Sequence, residues 1–226
     1  VSFPEAVKYV AEYYSIKIEL RGNDYKSETH SALYELHDIA MQLYQNNLFS
    51  TKGNEALSYL YERGLNEDIV RQFKIGYAMN SWDQLVNSVK GKGFSKKNIY
   101  QSGLFTSSDK GVFDRFRSRI MFPIFHSSGR TIAFGGRIFN SDDPAKYLNS
   151  PETPLYHKAS VLYGIQATRD SIRKNGYAVL VEGYMDFLKL YQSSITNILA
   201  ISGTAFTKKH ISILNRITKK VILFYD

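Results

Sequence analysis

The sequence has no cysteine, which excludes a disulfide framework and any thiolate metal site within it. It has no apolar run as long as a membrane span or a signal peptide, so the expectation is a cytoplasmic chain without a membrane partner. Acid is also short: 21 Asp and Glu stand against 29 Lys and Arg, a net charge of +8. That excess favours polyanionic partners, although many basic proteins bind nothing acidic. What is present is 43% apolar content over 226 residues, enough for one sizeable domain or two small ones.

The chain opens on Val1 and runs straight into Phe3-Pro4-Glu5. It closes on Val221-Ile222-Leu223-Phe224-Tyr225-Asp226, a strand pattern with one carboxylate at its end. A buried strand normally needs a following turn, so the expectation is a fragment of a longer chain. Between these ends, residues 4–14 read as a short helix with Pro4 in its first turn. Residues 21–31 are polar and aperiodic and read as a linker. Ser31 then caps a long helix over about 32–49, where Leu33, Leu36, Ile39, Ala40, Leu43 and Tyr44 recur at helical spacing. Further helices are expected over 54–63, from Asn66 across Phe73, and over Trp82–Val89. β-rich runs follow at Arg119–Phe125 and Arg130–Phe134 around a Ser127–Arg130 turn, and a helix over about 163–174. The closing third alternates as strand 177–182, helix 184–192, strand 197–201, helix 207–215 and strand 220–225, which implies a parallel sheet. The fold class is α/β.

Two strands of that sheet end in a carboxylate. Tyr177–Val181 delivers Glu182, and Val221–Tyr225 delivers Asp226. Strand C-termini line the ligand crevice of an open parallel sheet, and carboxylates brought there suit Mg²⁺, which takes carboxylate and phosphate oxygens. Asp186, four residues after Glu182, could face the same crevice. The plainer alternative is that Glu182 and Asp186 only complement a helix N-terminus.

Between Arg115 and Arg137 there are five arginines and no Asp or Glu. Arg115, Arg117 and Arg119 alternate, so an extended strand would present all three guanidiniums on one face and Phe116 on the other. Such a face grips the phosphates of a single strand or a triphosphate; the alternative is a solvated basic edge. Gly135-Gly136 permits close phosphate approach or marks a plain turn. Trp82 is either a base-stacking platform or a half-buried aromatic at a helix start.

Val179-Leu180-Val181-Glu182-Gly183-Tyr184-Met185-Asp186, then Ser202-Gly203-Thr204-Ala205, then Ile222-Leu223-Phe224-Tyr225-Asp226 resemble the Toprim domain of bacterial DnaG-type primases. That family continues past the last aspartate into a glycine and a second aspartate. Upstream, Asp114–Arg119, Phe122-Pro123-Ile124, Gly135-Gly136-Arg137, Lys146–Thr153, His157-Lys158 and Leu162-Tyr163-Gly164 resemble the N-terminal subdomain of the DnaG catalytic core. Arg63-Gly64-Leu65, Phe73–Ala78 and Trp82 resemble an earlier stretch of it, and residues 3–14 the helix that closes its zinc-binding module.

The resemblance implies four parts: the end of the zinc module at 1–20, a linker at 21–31, a basic subdomain at 32–175 and a truncated Toprim domain at 176–226. It implies a DNA-directed RNA polymerase of the primase type that makes short RNA primers on single-stranded DNA at the bacterial replication fork. The 226 residues alone are expected to be inactive. Glu182 and Asp226 would be catalytic and hold Mg²⁺ or Mn²⁺, with Asp186 a further metal ligand and Glu182 also a candidate for the attacking hydroxyl's proton. Arg63, Trp82, Arg115, Arg117, Arg119 and Arg137 would bind DNA, and Lys146, Asn149, Lys158 and Arg137 the NTP. Zinc would belong only to the preceding module, and the replicative helicase to a C-terminal region of the family. One departure concerns the metal count: Lys208 and Lys209 stand where many relatives carry an acid, and a charged lysine cannot ligate Mg²⁺. A Toprim nuclease and a non-catalytic nucleic-acid-binding module are the alternatives.

Overall fold

The computed structural model describes residues 10–11, 13–14, 24–203 and 205–225. The helix expected over 4–14 falls mostly outside them, and Asp226 falls outside altogether. Helix α1, Asp24–Leu48, begins eight residues before the expected start. Residues 24–31, read as linker, are therefore helical. Their lack of apolar periodicity was a poor guide, because polar residues propagate a helix already nucleated by a buried stripe. That stripe is Leu33, Leu36, His37, Ala40, Tyr44 and Leu48, all buried.

Helices α2 (Asn54–Glu62) and α3 (Glu67–Gln72) follow, and the Asn66 side chain caps α3 by accepting from the Ile69 N–H at 2.9 Å. Strand β1 (Gly76–Ala78) precedes α4 (Gln84–Val89) and α5 (Lys96–Gln101), and a hairpin of β2 (Phe105–Ser108) and β3 (Gly111–Asp114) comes next. Helix α4 is capped from a distance. The Asp114 carboxylate accepts from Leu85 N–H at 2.7 Å and Val86 N–H at 2.9 Å.

Strands β4 (Arg119–Phe125), β5 (Thr131–Ile138) and β6 (Tyr147–Asn149) join β1 in an antiparallel sheet of order β1–β4–β5–β6. Two expectations are corrected here. Residues Arg115–Arg119 do not form one extended strand, because Ser118 adopts φ +50° between Arg117 and the start of β4. Gly135 and Gly136 form neither a turn nor a phosphate cradle but lie inside β5. A Cβ on Gly135 would lie 2.4 Å from the Tyr184 ring, and one on Gly136 3.0 Å from Arg119 Cδ. The glycines make room for side chains.

The remainder is the expected alternation: α6 (Ile165–Asn175), β7 (Ala178–Val181), α7 (Tyr184–Gln192), β8 (Ile198–Ala200), α8 (Lys208–Leu214) and β9 (Val221–Leu223). The three strands form a parallel sheet of order β8–β7–β9. One apolar cluster spans both sheets, from Phe73, Ile120 and Phe122 to Tyr184, Phe187 and Ile198. At its centre Tyr184 stacks on Phe122 at 4.9 Å and meets Tyr163 edge-on at 4.8 Å.

Candidate functional site

Strand β7 is the middle strand of its sheet and ends at Val181, directly before the exposed Glu182. The backbone there is tied to the next strand: the Glu182 carbonyl accepts from Ser202 N–H at 2.8 Å. Asp186 lies in the first turn of α7, and its Oδ2 accepts from the Gly183 N–H at 3.1 Å. The helix-capping role thus holds for Asp186, and one of its oxygens serves it. Past β9 the Phe224 N–H bonds the Leu180 carbonyl at 2.8 Å, which brings Tyr225 beside β7. Burial, and then the Glu182 charge, push the Tyr225 hydroxyl above its ordinary pKa. Among the described residues no group of three His, Cys, Asp or Glu could hold a metal. The exposed carboxylates at the end of β7 nonetheless have the hard oxygen character that Mg²⁺ or Mn²⁺ takes, and Asp226 is the residue after Tyr225.

The arginine-rich face is built from three separate devices. Arg117 stacks its guanidinium over the Trp82 ring at 3.9 Å and donates to the Asp114 carbonyl. Trp82 is 59% exposed and meets Phe113 edge-on at 5.6 Å, so its ring forms an open shelf. Arg115 is half-buried, its Nε has no partner, and burial lowers its pKa. These groups border a cavity of about 210 Å³ that Asn80 and Asp143 also line.

Arg119 is the exception in this group. It is 1% exposed and donates to Asp143 Oδ2 at 2.7 Å, to the Ala145 carbonyl at 2.9 Å and to the Gly136 carbonyl at 3.2 Å. It lines the same cavity as Arg115 and Arg117 but is buried beneath it and is not exposed as the expected strand face would be. The left-handed Ser118 breaks the alternation, and Asp143 is a counter-charge that lies just beyond the acid-free run.

Arg137 donates to the Tyr59 hydroxyl and lies 5.2 Å from the Tyr59 ring and 5.9 Å from that of Tyr147. Tyr147 is a meeting point. Burial raises its pKa, and its hydroxyl feels Arg137, Tyr59, Asp186 and Arg63. Its ring also lies 6.3 Å from that of Tyr184, so Arg137 and the start of α7 flank one residue. Arg63 is exposed at the end of α2, and Lys146 is exposed just before Tyr147. Lys158 is half-buried; its carbonyl accepts from His210 Nε2 at 3.2 Å. Burial lowers the His210 pKa, which keeps the ring neutral between that carbonyl and the Thr207 N–H. Lys208 and Lys209 are exposed at the start of α8.

Asn149 is committed within the protein. Its Nδ2 donates to the Ser202 carbonyl at 2.9 Å, and its Oδ1 accepts from the Tyr184 hydroxyl at 2.9 Å. It joins β6 to the segment after β8. Sequence reasoning missed Asp143, Tyr59, Tyr147 and Tyr184. Nothing in local spacing points to them, since each acts on a partner distant in the chain.

Comparison with known proteins agrees with this geometry. Residues 43–169, more than half of the chain, match the family described as DNA primase catalytic core, N-terminal domain, and residues 179–226 match the Toprim-like family. The DNA primase of Clostridium acetobutylicum is 39% identical over 229 residues, covering all of this chain and 38% of that protein. The chain thus spans well under half the length of such relatives. The RNA polymerase domain of Mycobacterium tuberculosis primase DnaG superposes with a TM-score of 0.83 at 35% identity, covering 87% of this chain and 66% of that one. A DnaG primase catalytic domain bound to single-stranded DNA superposes with a TM-score of 0.82 at 38% identity, covering 88% and 62%. With a basic antiparallel half leading into a parallel sheet that ends in Glu182, the chain belongs to the DNA primase catalytic-core family.

Proposed function

We propose that this chain carries the nucleotidyl-transfer site of an enzyme that makes RNA primers on single-stranded DNA. The observation that carries the reading is the locality around Tyr147, whose ring lies 5.9 Å from the Arg137 guanidinium and 6.3 Å from the ring of Tyr184, two residues before Asp186 on α7. A cation suited to phosphate and the helix that carries Asp186 thus flank one tyrosine. In the reaction a nucleotide 3′-hydroxyl attacks the α-phosphate of an incoming NTP, a P–O bond forms and pyrophosphate leaves. A divalent cation, Mg²⁺ or Mn²⁺, held by Glu182, Asp186 and Asp226 would supply charge stabilisation to that transfer. The protein's own part is positioning. Trp82 offers a face on which a template base stacks, while Arg115 and Arg117 meet the template phosphates. Lys146, Lys158 and Arg137 receive the triphosphate, and Arg63 extends the basic face along α2. Asn149 holds β6 against the parallel sheet, so it supports the nucleotide side of the site through its fold.

The test is Glu182→Gln in the full-length protein. The substitution keeps size and hydrogen bonding but removes the charge. Template binding and folding should survive, while primer synthesis falls on the order of a thousandfold. Near-normal synthesis by a folded variant would overturn the assignment.

A further inference from the structure

Arg119 lines the cavity beside Arg115 and Arg117 but is buried, and its partners form one connected device. Its guanidinium reaches Asp143, the Ala145 carbonyl and the Gly136 carbonyl. Asp143 answers from the other side, its Oδ1 accepting from the Ala145 N–H at 2.8 Å. The Ala145 N–H, and then the Arg119 hydrogen bond, hold the Asp143 carboxyl below the ordinary carboxylate range. Directly after Ala145, the Lys146 carbonyl accepts from the Ile138 N–H at 3.0 Å, and β6 begins at Tyr147. The excursion between β5 and β6 is thus fastened to the sheet by Arg119 and Asp143, one residue before Lys146. The lysine side chain itself is exposed and has a long free stem. Its reach is set by where its backbone is held.

We propose that Arg119 and Asp143 are positioning residues that fix the backbone from which Lys146 meets the NTP triphosphate. This rests on the nucleotidyl-transfer reading above. It makes a prediction opposite in sign to simple electrostatics. Asp143 borders the same cavity as Arg115 and Arg117. Deleting its negative charge should raise the positive potential there and, by charge alone, improve NTP binding. Positioning predicts the reverse.

In the full-length protein, Asp143→Ala should raise the apparent KM for NTP about tenfold, the scale of one charge-assisted hydrogen bond lost. The single-stranded DNA affinity should hold or improve. Asp143→Glu, which can restore the ion pair, should recover most of the loss. Asp142→Ala removes a neighbouring exposed charge without touching Arg119 and should leave KM level or slightly lower. Lys146→Ala should raise KM by itself, and adding Asp143→Ala to it should cost little more, because both act through one group. If Lys146→Ala raises KM while Asp143→Ala leaves it level or lowers it, the positioning role fails and the nucleotidyl-transfer reading stands. Full additivity of the two substitutions likewise overturns it. If Glu182→Gln also leaves synthesis normal, that reading fails as well.

Discussion

The two sheets place functional side chains in different ways. In the parallel sheet the order β8–β7–β9 puts Glu182 at the end of the central strand, and backbone topology alone fixes its place. In the antiparallel half Arg117 precedes β4, Arg119 opens β4 and Arg137 is the last residue but one of β5. Each depends on a particular contact: Arg117 on Trp82, Arg137 on Tyr59, Arg119 on Asp143. A residue placed by topology needs few supports. A long side chain aimed by contacts needs a partner for every degree of freedom it loses.

The comparison can be broken in several ways. The largest effect expected is that of Glu182→Gln on synthesis. Second comes the seam between the halves, probed by Gly164→Ala. Gly164 has φ +87°, and an added Cβ would lie 2.1 Å from the buried Phe187 ring. Backbone strain and overpacking together should destabilise the fold by at least about 3 kcal/mol. Urea denaturation measures it, and a change below about 1 kcal/mol would mean the core yields there more easily than the packing implies.

Third is an acid sensitivity centred on the antiparallel half. His37 is fully buried, stacks on Phe134 at 6.0 Å and donates to the Leu33 carbonyl; burial depresses its pKa from 6.5 to about 4. Below pH 6.5 the unfolded chain binds a proton there that the folded chain refuses. Stability should therefore be full above pH 6.5 and fall as the pH drops towards 4, by about 3 kcal/mol from this group. His37→Phe should flatten that limb in denaturation curves between pH 6.5 and 4. An unchanged slope would place the acid sensitivity elsewhere.

The smaller effects separate the two members of the Trp82 shelf. Trp82→Ala should weaken single-stranded DNA binding about tenfold with little change in its salt dependence, since stacking releases no counterions. Arg117→Ala should make the slope of log affinity against log salt shallower by about 0.7, the value for one phosphate contact on a single strand. Lys92→Ala, on the exposed turn after α4, should alter neither. Equal slopes from Arg117→Ala and Lys92→Ala would reduce the basic face to bulk charge.

The division between the halves also explains what could be read from sequence. Helix α7 was expected over 184–192 and lies there, and the three closing strands were expected within a residue or two. Apolar runs of that length between helices leave little choice. The start of α1 was misplaced because helix propagation needs no apolar signal. The burial of Arg119 was not legible because alternation in sequence becomes alternation in space only on an extended strand, and the left-handed Ser118 interrupts it. The pair Gly135-Gly136 was read for what glycine permits at a phosphate, whereas its use is to leave room for Tyr184 and Arg119.

That last contact constrains how related sequences can drift. The Tyr184 ring occupies the space a side chain at 135 would need, while its hydroxyl holds Asn149. Neither position can change alone without either a clash or a void. Among relatives, a larger residue at 135 should therefore appear together with a smaller one at 184, and the residue at 149 would then be held only through the Ser202 carbonyl.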